Sequence, residues 1–297
     1  MKNVLLYNYN LEPENLKITG DDASFYIDYS KYYFVVFSRP IEDLEEIYAL
    51  QENLAGYHRI IKNRFDSIAT PYKGKNYCLL KVYGPEHSEI DITDMLANII
   101  PVKITASSLL RTDWGSLWSS KVDYLEYQIS ELGMTHKAAR HSFSYYVGLA
   151  ENAIEYFNLL KPEDLEVVIG HRRLKNSFVS KDYYDPLNVV IDYRPRDFAA
   201  YFKTKFFEGE EVLREVKILV DRNIFSPLEY NLLFCRLLYP SYYFDALGKV
   251  LELGYDDDTL LQYIEKVDAY EDFLRSTYEL LKTKSSMLKI DWLLERS

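Results

Sequence analysis

A polar segment between two strand-like runs holds the side chains best suited to chemistry. The run 165–171 ends in His171 and is followed by Arg173 and Asn176, and a second run at 188–192 ends in Asp192. Phosphoryl-transfer enzymes use this order: a strand, a loop that positions the acceptor hydroxyl, and a second strand that ends in a metal-binding Asp. The chemistry to look for is therefore phosphoryl transfer from ATP, with Asp192 as the candidate Mg²⁺ ligand.

The loop departs from the active pattern at its catalytic positions. The residue two after His171 is normally Asp, but here it is Arg173, and a guanidinium can neither accept a proton nor bind Mg²⁺. The Asn of the pattern falls on Phe178, and Asn176 could replace it only in a shifted loop. His171 is predicted to be a structural histidine that hydrogen-bonds to the backbone. We therefore expect His171, Arg173 and Asn176 to form a degenerate, inactive loop, with Asp192 as a vestigial metal ligand.

The N-terminal part also lacks phosphate-binding residues. The strand-like run 32–37, where a phosphate-holding Lys should lie, is aromatic and β-branched. Lys31 and Arg39 flank this run, and neither is predicted to point into a cleft. Gly20 is the only glycine before residue 31, so no Gly-rich loop precedes the run. The acids of the following helix are predicted to form its solvated face: Glu45, Glu46 and Glu52.

Two residues that follow Asp192 in the sequence, Arg196 and Asp197, are expected to stabilise the loop. Pro195 cannot lie far inside a helix, so a helix should begin close to it. Asp197 is predicted to be a buried structural anchor facing the loop at 170–174, and Arg196 or Arg194 to neutralise a nearby acid. The alternative is that Asp197 is an exposed helix cap.

Two further acids lie between the strand-like runs. Asp182 and Asp185 are predicted to be turn residues beside Pro186.

The elements around these residues predict an α+β chain. Strands are expected at 24–29, 32–37 and 77–83, with a turn at 30–31 and a helix at 41–55. Most of the chain from about residue 90 is predicted to be helical, apart from the strand pair that carries the loop. This order is similar to a two-lobed protein-kinase-like, or aminoglycoside phosphotransferase-like, fold. We place a small β-rich lobe at 1–86 and a large helical lobe at 87–297.

Composition excludes several function classes. The chain has 297 residues, 48% of them hydrophobic, and a formal net charge of −11. The acidic balance argues against a nucleic-acid partner, which requires a basic surface. No run is long and apolar enough for a signal peptide or a transmembrane helix. The two cysteines, Cys78 and Cys235, have no metal or redox spacing and fit a reducing cytoplasm. The 28 tyrosines are predicted to lie at half-buried positions.

Four segments carry a family resemblance. Residues 143–154 (FSYYVGLAENAI), 114–118 (WGSLW), 192–199 (DYRPRDFA) and 237–244 (LLYPSYYF) occur in this order. They resemble the spore-coat-associated kinase-like proteins of endospore-forming Firmicutes, the CotS and YutH group, with the YutH type the closer match. The similarity spans about residues 25–270.

The resemblance implies a kinase-like fold and association with the endospore coat. With the degenerate loop, it favours a non-catalytic coat protein that acts through contacts with other spore coat proteins and needs no cofactor. The resemblance also implies synthesis in the cytoplasm of the mother cell, followed by incorporation into the coat. Two alternatives remain. One is an ATP-dependent phosphotransferase with rearranged site residues that uses Mg-ATP, and the other is a ligand-binding module without chemistry.

Overall fold

The chain forms two compact units. The computed structural model describes residues 1–103, 106–132, 135–162, 165–172, 174 and 178–295. The first unit comprises residues 1–110 and 168–191, and the second comprises residues 111–167 and 192–297. This division does not coincide with the predicted boundary after residue 86, because the first unit extends to residue 110 and also includes most of the later strand pair. The lobe boundary stays a prediction.

An antiparallel sheet forms the centre of the first unit. Its six strands are β1 (Glu14–Thr19), β2 (Asp22–Ile27), β3 (Ser30–Phe37), β4 (Arg59–Ile61), β5 (Thr70–Tyr72) and β6 (Lys75–Lys81). The order across the sheet is β1-β2-β3-β6-β4, and β5 pairs with β6. Phe34 on β3 lies opposite Leu79 on β6. Both belong to a buried core that also includes Leu5 of helix α1 (Lys2–Tyr9).

The hairpin between β2 and β3 corrects the predicted turn. We expected Ser30 and Lys31 to make it, but both begin β3. The turn residues are Asp28 and Tyr29, with φ of 45° and 64°. Positive φ at both positions is the geometry of a type I′ turn, which matches the twist of paired strands.

The other elements of the first unit are short. Its helices are α2 (Ile41–Leu50), α3 (Ile92–Ala97) and α6 (Ser180–Tyr183). A second sheet has the order β7-β8-β9, with strands β7 (Pro101–Val102), β8 (Val167–His171) and β9 (Val189–Tyr193). Strand β9 is buried along its whole length, as its continuous apolar run predicts. The predicted strand pair around the loop is therefore present.

Helices build the second unit. They are α4 (Trp114–Leu132), α5 (Lys137–Leu160), α7 (Pro195–Glu208), α8 (Leu213–Arg222), α9 (Pro227–Leu238), α10 (Ser241–Leu253), α11 (Leu261–Ile264), α12 (Val267–Lys282) and α13 (Asp291–Leu294). Pro195 takes the first position of α7, where its missing N–H is not needed. Helix α9 begins with a capping box between Ser226 and Glu229. In the described part of the chain, no helix is both long and apolar enough to cross a membrane.

Many tyrosines lie deeper than predicted. Tyr146 and Tyr243 are almost fully buried and stack with ring centroids 3.6 Å apart. The hydroxyl of Tyr156 donates to Asn231 Oδ1 at 2.7 Å, and that of Tyr270 donates to the Leu237 carbonyl at 2.8 Å. Buried hydroxyls with protein partners cost little to desolvate. Much of the tyrosine content therefore serves the helical core.

Candidate functional site

Asp192, the predicted metal ligand, is fully buried in the second unit and already holds protein donors. Trp114 Nε1 donates to its Oδ1 at 2.9 Å and to its Oδ2 at 3.1 Å. The Tyr193 N–H donates to Oδ1 at 2.7 Å, and Arg196 Nη1 forms an ion pair with Oδ2. Both oxygens are therefore engaged by donors that a metal ion would have to displace.

A second arginine adds positive charge beside this carboxylate. The Arg236 guanidinium carbon lies 4.7 Å from the ring centroid of Trp114 and 5.6 Å from that of Trp118. Burial raises the pKa of Asp192, while Arg196 and Arg236 act in the opposite direction. Burial also lowers the pKa of Arg236 to about 10. The group is a desolvated cluster of charges, held together by ion pairing and aromatic stacking.

Asp197 lies in the first turn of α7 and is only 9% exposed. Its Oδ1 is 4.0 Å from Arg196 Nε. Arg194 pairs with Glu166 at 2.5 Å and with Glu229 at 3.5 Å. Burial of Asp197 and neutralisation of acids by both arginines agree with the sequence analysis. The anchoring of the loop at 170–174 by Asp197 stays a prediction.

The loop residues themselves are only partly described. His171 is buried in the first unit, where its Nε2 donates to the Tyr183 carbonyl at 2.7 Å and lies 3.0 Å from the Tyr57 hydroxyl. This is the backbone contact predicted for a structural histidine. Arg173 and Asn176 lie outside the described residues. Phe178 is 3% exposed, so an apolar ring is buried at the position where the pattern has Asn.

A cavity of about 690 Å³ lies within the first unit. Its lining comes from β1, β2 and β3, the residues after β3, His58, Leu80 and the segment around α6. Arg39 is part of this lining, a position that no local sequence pattern predicts. Arg39 Nε donates to Asp43 Oδ2 at 2.8 Å, and its Nη1 donates to the carbonyls of Leu187 at 3.2 Å and Val189 at 2.9 Å.

The acid that pairs with Arg39 was missed in the sequence. Asp43 is 4% exposed on α2, and its Oδ1 accepts from Ser108 Oγ at 2.5 Å. Among the acids named for this helix, Glu45 is exposed, but Glu46 is half-buried and accepts from the Ser108 N–H at 2.9 Å. Its predicted place on the solvated face is therefore wrong. The Arg-x-x-x-Asp spacing across the start of a helix was the available signal.

His58 and Lys181 form another part of the cavity wall. His58 is 2% exposed, and its Nδ1 accepts from the Tyr83 N–H at 3.3 Å. Burial, helped by the charge of Lys181, lowers the pKa of His58 to about 4. The imidazole is therefore neutral near pH 7. Lys181 Nζ lies 5.1 Å from the ring centroid of Tyr33, which also lines the cavity.

Asp182 and Asp185 also reach this cavity. Asp185 Oδ1 accepts from the Leu187 N–H at 2.9 Å, so the residue caps a short 3₁₀ turn, as predicted for a turn acid. Burial raises the pKa of the Asp185 carboxyl to about 6. The cavity wall therefore contains acidic side chains as well as the basic side chains of Arg39, His58 and Lys181.

The described residues fit a kinase-type Mg-ATP site poorly. Such sites hold Mg²⁺ through an Asp carboxylate and an Asn amide oxygen. In this chain the carboxylate of Asp192 is paired with Arg196 and Trp114, and the residue at the Asn position is Phe178.

The comparisons with known proteins decide the family. Residues 2–277 match the family model described as "Spore coat putative kinase YutH". The chain belongs to this spore coat YutH family. It is 26% identical to the endospore coat-associated protein YutH of Bacillus subtilis (strain 168), over an alignment of 292 residues that covers 84% of this chain and 85% of the relative. The family predicted from the four sequence segments is confirmed.

Solved structures show the fold of this YutH-family chain. An aminoglycoside phosphotransferase from Alicyclobacillus acidocaldarius is similar with a TM-score of 0.64 and 10% identity, covering 95% of this chain and 97% of its own. Spectinomycin phosphotransferase APH(9)-Ia, in complex with ADP and spectinomycin, has a TM-score of 0.53 and 12% identity, covering 95% and 92%. The predicted α+β kinase-like fold of the aminoglycoside phosphotransferase type is confirmed. At these identities the likeness shows the fold alone.

Proposed function

We propose that this chain is an endospore coat-associated protein that acts through contacts with other coat proteins and does not transfer phosphate. Its family membership and its similarity to the B. subtilis coat-associated protein support the location. Its synthesis in the mother cell is part of the same proposal.

The observation that carries the non-catalytic part is the engagement of Asp192. An aspartate that binds catalytic Mg²⁺ must present free oxygen atoms to the ion. Here a buried ion pair and an indole N–H hold the carboxylate, and breaking such a pair to admit an ion leaves Arg196 uncompensated. Arg173 adds a cation where a general base is required.

Thermal unfolding with nucleotide tests the absence of a metal site. ATP is added at millimolar concentration with EDTA or with excess MgCl₂, and each is compared with the same salt lacking ATP. We expect Mg²⁺ to change the midpoint shift caused by ATP by less than about 1 °C, since only binding to the native state raises the midpoint. A saturable Mg²⁺-dependent shift that disappears in Asp192→Ala would support the phosphotransferase alternative.

Fluorescence microscopy in a sporulating host tests the coat assignment. A fusion to a fluorescent protein should appear late and form a ring around the forespore. Uniform fluorescence in vegetative cells would contradict the proposal.

Cross-linking of coat extracts, followed by mass spectrometry of peptides joined to this chain, tests for protein partners. We expect coat proteins among them. Recovery of this chain joined only to itself would contradict a role based on other coat proteins.

A further inference from the structure

Two aromatic rings and one guanidinium group form an exposed cluster on the first unit. Tyr7 is 60% exposed and Phe65 is 57% exposed, and their ring centroids are 5.9 Å apart. The guanidinium carbon of Arg64 lies 4.3 Å from the ring centroid of Tyr7 and 4.8 Å from that of Phe65. Leu6, which precedes Tyr7 on α1, is also exposed. We call Leu6, Tyr7, Arg64 and Phe65 the aromatic patch.

The loop that carries Arg64 and Phe65 is held in place by hydrogen bonds. Asn63 is buried, and its Oδ1 accepts from the N–H groups of Phe65 and Ser67 at 3.0 and 3.1 Å. The N–H of Arg64 donates to the Asn8 carbonyl of α1 at 2.8 Å. The aromatic patch is therefore preorganised, and a partner loses little free energy in ordering it.

The side chain of Arg64 is free to receive an acid. Its guanidinium group forms no hydrogen bond and no ion pair with any residue that the structure describes. A guanidinium group binds a carboxylate through two parallel hydrogen bonds. Tyrosine and arginine are also enriched among the interface residues that contribute most to binding. The aromatic patch thus fits a protein surface on which a carboxylate lies beside apolar or aromatic side chains.

The second unit exposes a segment with this chemistry at the end of α10. Residues 252–256 are all exposed, and within them Leu253 and Tyr255 are 66% and 52% exposed. Asp258 is exposed as well, and its carboxylate has no hydrogen-bond or ion-pair partner in the described part of the chain. We call residues 252–258 the acidic segment. It combines free negative charge with exposed apolar and aromatic surface.

We propose that the aromatic patch of one copy of this chain binds the acidic segment of a second copy. The contact pairs Arg64 with a carboxylate of the segment, and it places the rings of the patch against Leu253 and Tyr255. Complementary charge favours this pairing over contact between two patches or two segments, which would bring like charges together. The inference goes beyond the proposed function and does not depend on it.

Every copy carries both surfaces. The contact therefore either occurs twice in a closed dimer or continues from copy to copy in a larger assembly. The aromatic patch is small, which places the contact among the weak interfaces.

Sedimentation velocity of the purified full chain tests for this self-association. The chain is measured from about 5 µM to about 500 µM, the range in which a weak contact becomes populated. In about 0.15 M NaCl the net charge of −11 is screened beyond about 8 Å, so distant charges on two copies do not prevent the contact. We expect the weight-average mass to rise with concentration. A monomer at every concentration overturns the proposal.

Single variants locate the contact. Arg64→Glu should weaken association about tenfold or more, because it removes the cation and adds a charge that repels the acidic segment. Arg214→Glu is the matched control, since it makes the same change of charge at an exposed position of α8, and it should associate like the wild type. If Arg64→Glu fails to fold, Phe65→Ser removes a ring of the patch and should also weaken association. Association of the folded patch variants equal to that of the wild type overturns the proposal.

A mixture of two variants tests which surfaces meet. Arg64→Glu keeps the acidic segment, and the double variant Tyr255→Ser with Asp258→Lys keeps the aromatic patch. Each variant alone should be largely monomeric at concentrations where the wild type associates. Their equimolar mixture should form one-to-one dimers, because each pair retains one intact patch and one intact segment. A mixture that associates no more than the separate variants overturns the proposal.

The two proposals fail separately. Self-association without consumption of ATP is consistent with both. Consumption of ATP overturns only the non-catalytic role, and a monomeric chain that is cross-linked to coat proteins overturns only the contact between copies.

Discussion

The indole N–H of Trp114 is shared between the two carboxylate oxygens of Asp192, at 2.9 and 3.1 Å. Trp114 belongs to one of the segments that carry the family resemblance, and Asp192 belongs to another. The contact therefore links two parts of the family pattern in one buried cluster within the second unit. It gives Asp192 a structural partner in a place where a phosphotransferase would need a free carboxylate.

Replacement of Trp114 by Phe should destabilise the protein by about 2–4 kcal/mol, because it removes a donor from a buried carboxylate and leaves a small cavity. The loss of the donor raises the pKa of Asp192 further. The deficit relative to wild type should therefore shrink as the pH is lowered, because the variant takes up a proton in its native state at higher pH. Denaturant unfolding at several pH values measures this.

Trp292→Phe is the control for the indole itself. Trp292 Nε1 donates to the neutral Asn152 Oδ1 at 3.0 Å, so its replacement should show no such pH dependence. A deficit for Trp114→Phe that is equal to the control at every pH would contradict a role for the indole in holding the charge of Asp192.

Replacement of Asp197 by Ala distinguishes between two roles for this residue, an anchor of the loop at 170–174 and a cap of the helix. A first-turn acid that only interacts with the helix end contributes about 1 kcal/mol or less, whereas each orphaned buried N–H group costs about 1–3 kcal/mol. We expect a loss above about 3 kcal/mol in denaturant unfolding. Glu42→Ala, an exposed first-turn acid of α2, should lose far less. A loss of 1 kcal/mol or below for Asp197→Ala would remove the anchor role.

The order of the secondary-structure elements could be predicted from the sequence, but the residues that line the cavity could not. The strand pair around the loop, the start of α7 at Pro195 and the family segments all depend on local patterns that are visible in the chain. The pairing of Arg39 with Asp43 was not predicted, because a phosphate-holding side chain was expected within the strand and not after it. Arg39 also meets the carbonyls of Leu187 and Val189, which are far away in sequence, and no local pattern reports that contact.

The hydrogen-bond and ion-pair partners of Asp192 also could not be predicted from the sequence. The run of apolar residues before it indicated a buried strand end, but the identity of its partners depends on helix packing. Trp114 precedes it by 78 residues. The tyrosines show the same limit, since their number indicates abundant aromatic surface but not which hydroxyls find buried partners.

His58 should remain neutral well below the pH at which an ordinary histidine gains a proton. Its pKa is lowered to about 4 in the native state by burial and by the charge of Lys181. Nitrogen-15 NMR of the imidazole should show the Nε2–H form down to about pH 5, given a usual pKa of about 6.5. Titration of the ring near pH 6.5, or a proton on Nδ1, would contradict the burial of the ring and the hydrogen bond that Nδ1 accepts from the Tyr83 N–H.

Replacement of Asp185 by Asn should stabilise the protein, by an amount that increases as the pH rises. Because burial raises the pKa of this acid to about 6, the native wild type binds the extra proton, and its stability falls as the pH rises from about 4 to 6. The Asn variant cannot ionise and keeps the oxygen that caps the turn. It should exceed wild type at pH 7 by up to about 3 kcal/mol, with no advantage below pH 4. Asp221→Asn, at an exposed acid of α8, is the control. An advantage for Asp185→Asn that does not vary with pH would contradict the raised pKa.

The most direct test of the non-catalytic account is whether the purified chain consumes ATP. Protein at high concentration is incubated with Mg²⁺ and γ-labelled ATP, and released or transferred phosphate is counted for wild type, for Asp192→Asn and for buffer alone. The account predicts the same background rate in all three samples, because the carboxylate of Asp192 already serves Arg196 and Trp114. Saturable, Mg²⁺-dependent turnover by the wild type that is absent in a folded Asp192→Asn variant would contradict it.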